Sequence, residues 1–438
     1  MKENKVAIFT SFYDFDPGYS LCNCVEDQLR MFCDNGYKIK LFVDHMFRTP
    51  GGYWSHPNIT YAFLPPVQRS NEGQLNDKWK EETDSIYNFL KQELADYEVV
   101  LTHDIVLQPA ELIYNYAARK LAAERADLGW LNWCHSPTQA AVNCNIPEIS
   151  EVIANKFPNS FICYPNEWDR KRVAMNHNLQ LDEVKCVYHP SDFISLLCGD
   201  AEDMSEKGLK ALNLTKDFVK EFDLWNADVI SIYPCRLDRG KQPEFNIKTM
   251  AKIKETGRKV LMVIFDFHST GGDKVTYREE LKQIARKWGL TEKECVFISE
   301  WRPETFYNVP RQFILNLKKF SDFHMHSSNT ETYSLVVQES VATKNFLVLN
   351  YHLPVMRDIY GSTNPLFETF GSTVNIMDGT NGSTTLHIHN EQLEFENRAK
   401  RLLYFLENNP VLAEWRFIRK HRNLDYVFKN QLEPLLYA

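Results

Sequence analysis

The stretch Val229-Ile230-Ser231-Ile232-Tyr233-Pro234-Cys235-Arg236-Leu237-Asp238-Arg239-Gly240-Lys241, followed by a helical pattern over Phe245–Thr256 and the apolar run Lys259–Phe265, decides the fold. An apolar run of strand length, a polar turn, a helix and a second apolar run make a βαβ unit, in which the two strands lie parallel. Downstream the alternation continues through a helix over Tyr277–Trp288 and strand-like runs at Cys295–Ser299, Phe323–His326 and Phe346–Leu349. Upstream the same rhythm appears at Val6–Thr10, a helix over Val25–Asn35, and then Ile39–Val43, Val99–Thr102, Gly129–Trp133, Ser160–Tyr164 and Val184–Tyr188. Between the two series, residues 196–225 carry Asp200, Glu202, Asp203 and Glu206 with little strand signal, and read as a charged linker or helical insertion. The expected organisation is therefore α/β: a Rossmann-like domain over 1–195, the insertion, a second Rossmann-like domain over 226–395, and C-terminal helices in 396–438, around Leu393–Glu407 and Val411–Asn423. Two such halves are expected to face each other across a cleft.

The 438 residues include 50 basic and 58 acidic side chains, a net charge of −8, and 44% are hydrophobic. At roughly 100–200 residues per domain, this length supports two or three domains, each with its own core. The longest uninterrupted aliphatic and aromatic run, Val260–Phe265, falls far short of the roughly 18 apolar residues that suggest a membrane span. Met1–Lys5 leads into Val6–Phe9 with no signal-peptide apolar region, so a cytoplasmic location is expected. The ten cysteines contain no C-x-x-C pair and read as buried reduced thiols; Cys22-x-Cys24 has no second pair at ligand spacing.

Several common signatures are missing. There is no G-x-G-x-x-G, and Gly240-Lys241 lacks the other residues of a phosphate-cradling P-loop, which argues against a dinucleotide oxidoreductase or a P-loop NTPase. Asp14-Phe15-Asp16 is formally a D-x-D, but it falls in the first βα loop, where carboxylates commonly cap turns. His324/His326 and His387/His389 would each share one face of a strand without evident further ligands. No metal site is expected.

Two segments carry chemistry. Glu331-Thr332-Tyr333-Ser334-Leu335-Val336-Val337-Gln338-Glu339 follows a strand and opens a helix, where free backbone N–H groups and the positive end of the helix dipole suit a diphosphate. Glu331 in the loop can accept hydrogen bonds from sugar hydroxyls, and Glu339, about two turns on, from a ribose. The plainer alternative makes Glu331 a dipole-favoured helix-start residue and Glu339 a solvated helix position. In the second segment, Arg236 and Lys241 leave the carboxyl end of a strand as two cations able to clamp a diphosphate leaving group without a metal. The alternative there is a charged surface loop in which Asp238 pairs with Arg239 or Lys241.

These residues resemble glycosyltransferase family 4, retaining enzymes of the GT-B fold. The family's strand ending G-R-L-x-x-x-K-G is matched at Arg236 and Lys241, and its later E-G-F-G-x-x-x-x-E at Glu331, Leu335 and Glu339. Asn35–Ile39 resembles the family's G-H-E-V entry, Asp96–Asp104 its D-V-V-H-x-H segment, Leu131–Ser136 its strand ending in His, and Val187–Asp192 occupies the place of N-G-V-D. The chain departs from the pattern where Gln242 replaces the glycine after Lys, where Glu331-Thr332-Tyr333-Ser334 lacks both loop glycines, and where the first loop has only Gly18. The strand expected to end in V-G-x-G reads Val263–His268 instead.

The resemblance implies sugar transfer from a nucleoside-diphosphate sugar with retention at the anomeric carbon and no required cofactor. Arg236 and Lys241 would hold the diphosphate, with Gly18, Tyr333, Ser334, Leu335 and Val336 lining the donor site, Glu331 on the sugar and Glu339 on the ribose. His135 would meet the donor sugar or the acceptor, and His103 and Asp104 are acceptor-side candidates. The alternatives are a sugar-nucleotide epimerase or a phosphorylase on the same plan, or a non-catalytic binding protein. The acceptor is open: a glycan, a lipid-linked sugar, a protein, a small molecule or a hydroxylated base of modified viral DNA. The basic, aromatic segment Trp415–Arg422 offers a contact with a membrane or nucleic acid, though the acidic chain as a whole does not favour one, and the resemblance implies that the C-terminal helices of 396–438 cross back to the first domain.

Overall fold

A computed structural model describes residues 4–15, 20–70, 73–137, 144–189, 206–266, 273–306, 309–375, 381–384 and 388–421. Gly18, Asp16, Phe267, His268, His387 and residues 190–192 lie outside them. The chain divides into two compact units, Met1–Ser191 and Asp192–Ala438.

The first unit is built on strands β1 Lys5–Phe9, β2 Lys38–Asp44, β3 Ile59–Leu64, β4 Val99–His103, β5 Gly129–Trp133, β6 Ser160–Tyr164 and β7 Val184–Cys186. All pair in parallel, in the order β3-β2-β1-β4-β5-β6-β7. Helices α1 Ser20–Asp34, α2 Trp79–Glu93, α3 Leu112–Glu124, α4 Pro147–Ala154 and α5 Arg170–Asn176 lie along the chain between them. One apolar cluster joins Leu90, Tyr114 and Leu121 to Ala7, Phe9 and Trp130, and another sets Val25 and Leu29 of α1 against Ile8, Leu41 and Val43. Side chains that alternate along one strand thus feed two cores, one on each face of the sheet.

The second unit opens with α6 Glu206–Glu221, inside the segment 196–225. Its Ala211, Leu214 and Phe218 are buried against Ile230, Ile232 and Phe313. Its strands are β8 Val229–Pro234, β9 Val260–Phe265, β10 Cys295–Phe297, β11 Phe323–His326, β12 Phe346–Asn350 and β13 Leu366–Glu368, all parallel in the order β10-β9-β8-β11-β12-β13. The helices are α7 Pro243–Glu255, α8 Lys274–Lys287, α9 Ile298–Trp301, α10 Arg311–Lys318, α11 Leu335–Ala342, α12 Pro354–Tyr360, α13 Glu391–Glu407 and α14 Pro410–His421. A short antiparallel pair, β14 Ser372–Asn375 and β15 Asn381–Thr384, follows β13. Every residue of β8 and β9 is buried, as an inner parallel strand covered on both faces requires.

The described part of the basic C-terminal helix is anchored on the second unit. Arg419 is 1% exposed and donates to the Phe320 and Ala227 carbonyls at 3.0 and 2.8 Å, Arg416 meets buried Asp322 at 3.2 Å, and Lys420 pairs with Asp228. These partners precede β11 and β8, so the cations close the amino-terminal edge of the sheet. Among the described residues no helix is long and apolar enough to cross a membrane, and the described cysteines form no disulfide.

Candidate active site

In a doubly wound sheet the chain leaves neighbouring strands in opposite directions at one point, and the crevice at their carboxyl ends there is the habitual ligand site. In the second sheet that point lies between β8 and β11. The loop after β8 carries Arg236 to Gln242, and the loop after β11 carries Ser327 to Ser334.

The two loops are tied together. The Asn329 amide donates to the Gly240 carbonyl at 2.8 Å, and a Cβ at Gly240 would stand 2.7 Å from Asn329 Oδ1, so any larger residue there would have to displace the Asn329 side chain. Tyr233 donates its hydroxyl to the Lys241 carbonyl at 2.7 Å, and Ser327 Oγ reaches the Lys241 and Gln242 carbonyls at 3.0 and 2.8 Å. The Gln242 side-chain nitrogen donates to the carbonyls of Ser327 and Phe370, at 2.8 and 3.1 Å.

This frame brings Lys241 and Glu331 together as an ion pair, with the Glu331 side chain only 12% exposed. The same carboxylate oxygen lies 3.1 Å from His326 Nε2, and His326 Nδ1 lies 3.4 Å from His324 Nε2. Burial acts to raise the Glu331 pKa, but the Lys241 ammonium and His326 outweigh it and hold the carboxyl well below its ordinary range. Glu331 is thus an ionised acceptor held in a fixed place. Glu339, in the second turn of α11, meets Arg311 at 3.1 Å through one oxygen and Lys318 at 3.3 Å through the other. Burial opposes its charge too, and Lys318 and Arg311 reverse the balance and lower its pKa. Leu335 and Val336 stand in the first turn of α11, ahead of its first complete turn, as at any helix start. Tyr333 is buried.

Arg236 does not join this group. Its side chain is 58% exposed and faces Asp238 at 3.4 Å; Asp238 also meets Lys274 at 3.3 Å. Arg239 makes a bidentate pair with Glu280 at 2.8 and 2.9 Å over the Tyr277 ring.

Two positions where the family has glycine keep a left-handed backbone. Gln242 has φ 49° and Ser334 φ 69°, conformations that cost a non-glycine residue about 1–2 kcal/mol. At Gln242 the side-chain hydrogen bonds offset that cost. Ser334 has no side-chain cap bond, so Ser334→Gly is expected to raise stability by about 1 kcal/mol, roughly 2–4 °C in the second unit's melting temperature. An unchanged or lower melting temperature in a thermal scan would count against a strained Ser334.

In the first sheet the corresponding point lies between β1 and β4. His103 ends β4, His135 follows β5, His189 follows β7, and Gln28 projects from α1, which follows β1. His103 Nδ1 lies 3.2 Å from His135 Nε2, and His103 Nε2 lies 2.8 Å from Gln28 Oε1. Trp133 Nε1 donates to His189 Nδ1 at 3.2 Å, and the His135 and His189 rings stack at 4.8 Å and 14°. Asp104, at φ 55°, accepts the His135 backbone N–H on Oδ1 at 3.0 Å. Burial raises the Asp104 pKa to about 6, the hydrogen bond from His135 acting the other way. Burial lowers His135 to about 3 and holds His103 and His189 well below 6.5. All three imidazoles are neutral at pH 7.

Cys24 Sγ and one ring nitrogen each of His135 and His189 lie within 4.8 Å of one another. This donor set suits a cation poorly. A histidine ligand normally donates from its second ring nitrogen, whereas His189 Nδ1 accepts an indole N–H, and an indole nitrogen can only donate.

The sequence alone pointed to Lys241, Glu331, Glu339, His135, His103 and Asp104. It weighed His326 only with His324 as a metal pair, placed His189 in the stretch likened to N-G-V-D without a role, and did not name Arg311, Lys318 or Gln28.

No protein-family model matches the chain, and no curated protein matches it in sequence. Solved structures do. HepE from Anabaena, in complex with UDP, superposes with a TM-score of 0.58 at 13% identity over 99% of this chain and 100% of that one. The trehalose-6-phosphate synthase OtsA gives 0.60 at 14% identity over 99% and 98%. An E. coli trehalose-6-phosphate protein bound with UDP-2-fluoro glucose gives 0.56 at 13% identity over 94% and 97%. With two parallel-sheet α/β units that superpose on these glycosyltransferases, the chain has the GT-B fold.

Proposed function

We propose that the protein is a retaining glycosyltransferase that moves a sugar from a nucleoside-diphosphate sugar to a hydroxyl acceptor without an essential metal. The observation that carries this reading is the Lys241–Glu331 pair at the switch point of the second sheet, beside the start of α11. An ammonium there neutralises the diphosphate as it leaves, and the ionised carboxylate accepts hydrogen bonds from the sugar's hydroxyls. The positive end of α11 adds donors for phosphate oxygens at Leu335 and Val336. Glu339 takes the ribose through lone pairs that Arg311 and Lys318 leave open, since a carboxylate has about four such sites. Arg236, on its exposed loop, swings from Asp238 to the diphosphate when donor arrives. In the first unit His135 meets the donor sugar or the acceptor, with His103 and Asp104 supporting it. UDP in HepE and UDP-2-fluoro glucose in the E. coli protein make a uridine donor the first to try. The free thiols fit a cytoplasmic protein.

Thermal melting with UDP, GDP, ADP and dTDP, each with EDTA, tests the reading. One diphosphate at about 100 times its Kd should stabilise the native state by about 2.7 kcal/mol, roughly 5–10 °C. A folded protein that shifts with none of the four, or only when EDTA is left out, would refute metal-free donor binding.

A further inference from the structure

The histidine cluster of the first unit has a direction, set by chemistry that the distances alone do not state. The Gln28 amide presents its oxygen to His103 Nε2 at 2.8 Å and leaves its own buried nitrogen without a partner; in that orientation the oxygen can only accept, and His103 carries its proton on Nε2 and a lone pair on Nδ1. The 3.2 Å contact is then a bond donated by His135 Nε2–H to His103 Nδ1. A neutral imidazole has one N–H, so His135 is left with a lone pair on Nδ1. Its ring is also held in place by the stacked His189 and by Asp104, which anchors its backbone. His135 is partly exposed, while Gln28 and His103 behind it are buried.

We propose that Gln28 and His103 are positioning residues that fix His135 as a hydrogen-bond acceptor at Nδ1, and that the group it receives is a substrate hydroxyl. This deepens the glycosyltransferase reading and rests on it. A fixed acceptor selects against a carbonyl or a fully ionised phosphate oxygen, neither of which has a proton to give, and in favour of the O–H groups of a sugar. The logic is that of a base oriented by a second group and that group by a third, here with a neutral amide at the end of the chain.

Full-length protein labelled with 15N-histidine, recorded by two-bond proton–nitrogen correlation at pH 7.5, reads the tautomer directly. His135 is expected with Nε2 protonated and Nδ1 bare. Gln28→Leu should mix the two tautomers and lower UDP-glucose turnover, with water as acceptor, about 10–100-fold. UDP affinity should stay within about twofold, and Gln28→Glu, which keeps an acceptor on His103, should recover most of the loss. The opposite tautomer in the wild type, or full turnover by Gln28→Leu, would overturn the relay. If Gln28→Leu does not fold, the wild-type spectrum and Gln28→Glu still decide it. Failure of the wild type to bind UDP would instead strike the glycosyltransferase reading, and the tautomer is measured independently of it. Movement of the His135 Nδ1 resonance with UDP-glucose but not UDP would assign the hydroxyl to the donor sugar; movement with neither would assign it to the acceptor, the relay standing in both cases.

Discussion

Lys241→Ala and Glu331→Ala should each lower the rate of sugar transfer by about 100-fold or more, the scale of losing one group that stabilises developing charge. The two substitutions do not act alike on stability. Glu331 owes its ionisation to Lys241 and His326, against the effect of burial. Removing Lys241 strands a carboxylate that is only 12% exposed, and breaking a buried pair from one side costs about 3–5 kcal/mol. Lys241 is less enclosed, at 21%, so Glu331→Ala leaves an ammonium that can turn towards water and costs less. The double variant Lys241→Ala/Glu331→Ala removes both charges and should be more stable than Lys241→Ala alone, a non-additive result expected of residues in direct contact. Its transfer rate should stay as low as that of the worse single variant, because stability returns without the chemistry. The assay is kcat and KM for the donor below the melting temperature of every variant. Near-wild-type transfer by both single variants would remove this pair from the mechanism, whatever the melting data show.

The inner strands were readable because buried parallel strands are nearly continuous apolar runs: Gly129–Trp133, Ser160–Tyr164 and Phe323–His326 have the bounds that the sequence suggests. In the two parallel sheets, the strands that escaped notice are at the edges. Ile59–Leu64 runs along the edge of the first sheet with Thr60 and Phe63 exposed, and Leu366–Glu368 is three residues long at the edge of the second. With one side open to water, neither needs an unbroken apolar run. In the site, Lys241 and Glu331 were legible because each sits in a loop directly after a strong strand, where topology alone puts them at one end of the sheet. Arg311 and Lys318 were not, since their pairing with Glu339 depends on how α10 lies beside α11, which no local spacing encodes. Two of the three lost glycines show a further limit. Neither glutamine nor serine favours a left-handed backbone, yet Gln242 and Ser334 keep positive φ, because neighbouring hydrogen bonds and the helix start fix the backbone more firmly than the residue's own preference.

Acidification from pH 7 to 5 should unfold the first unit before the second. Burial lowers the pKa of His103, His135 and His189 in the first unit and of His324 in the second. A histidine whose folded pKa lies below its unfolded value near 6.5 contributes stability that is fully present above that value and is lost as the pH falls below it. The unfolded chain takes up a proton that the native fold refuses, at about 1.4 kcal/mol per pH unit for each ring. Three rings in the first unit lose about 4 kcal/mol per unit of pH. Asp104 works in the opposite sense: its folded pKa, near 6, exceeds the unfolded value, so the native state gains stability as the pH falls through 6, by about 1.4 kcal/mol per unit. Glu111, also raised by burial, works in the same sense as Asp104. The histidines prevail, leaving a net loss of about 2–3 kcal/mol per unit between pH 6 and 5. Against a typical stability of about 5–15 kcal/mol this is large. In the second unit burial lowers the pKa of His324 and raises those of Asp266, Asp322 and Glu244, which act in the opposite sense, so the loss there should be smaller than in the first unit. Urea unfolding followed at pH 7, 6 and 5 separates the two transitions, and Asp104→Asn, which removes the opposing carboxyl, should steepen the loss in the first. A midpoint that does not move for the first unit between pH 7 and 5 would mean that His103, His135 and His189 take up protons within the native fold, and the neutral relay would fail with it.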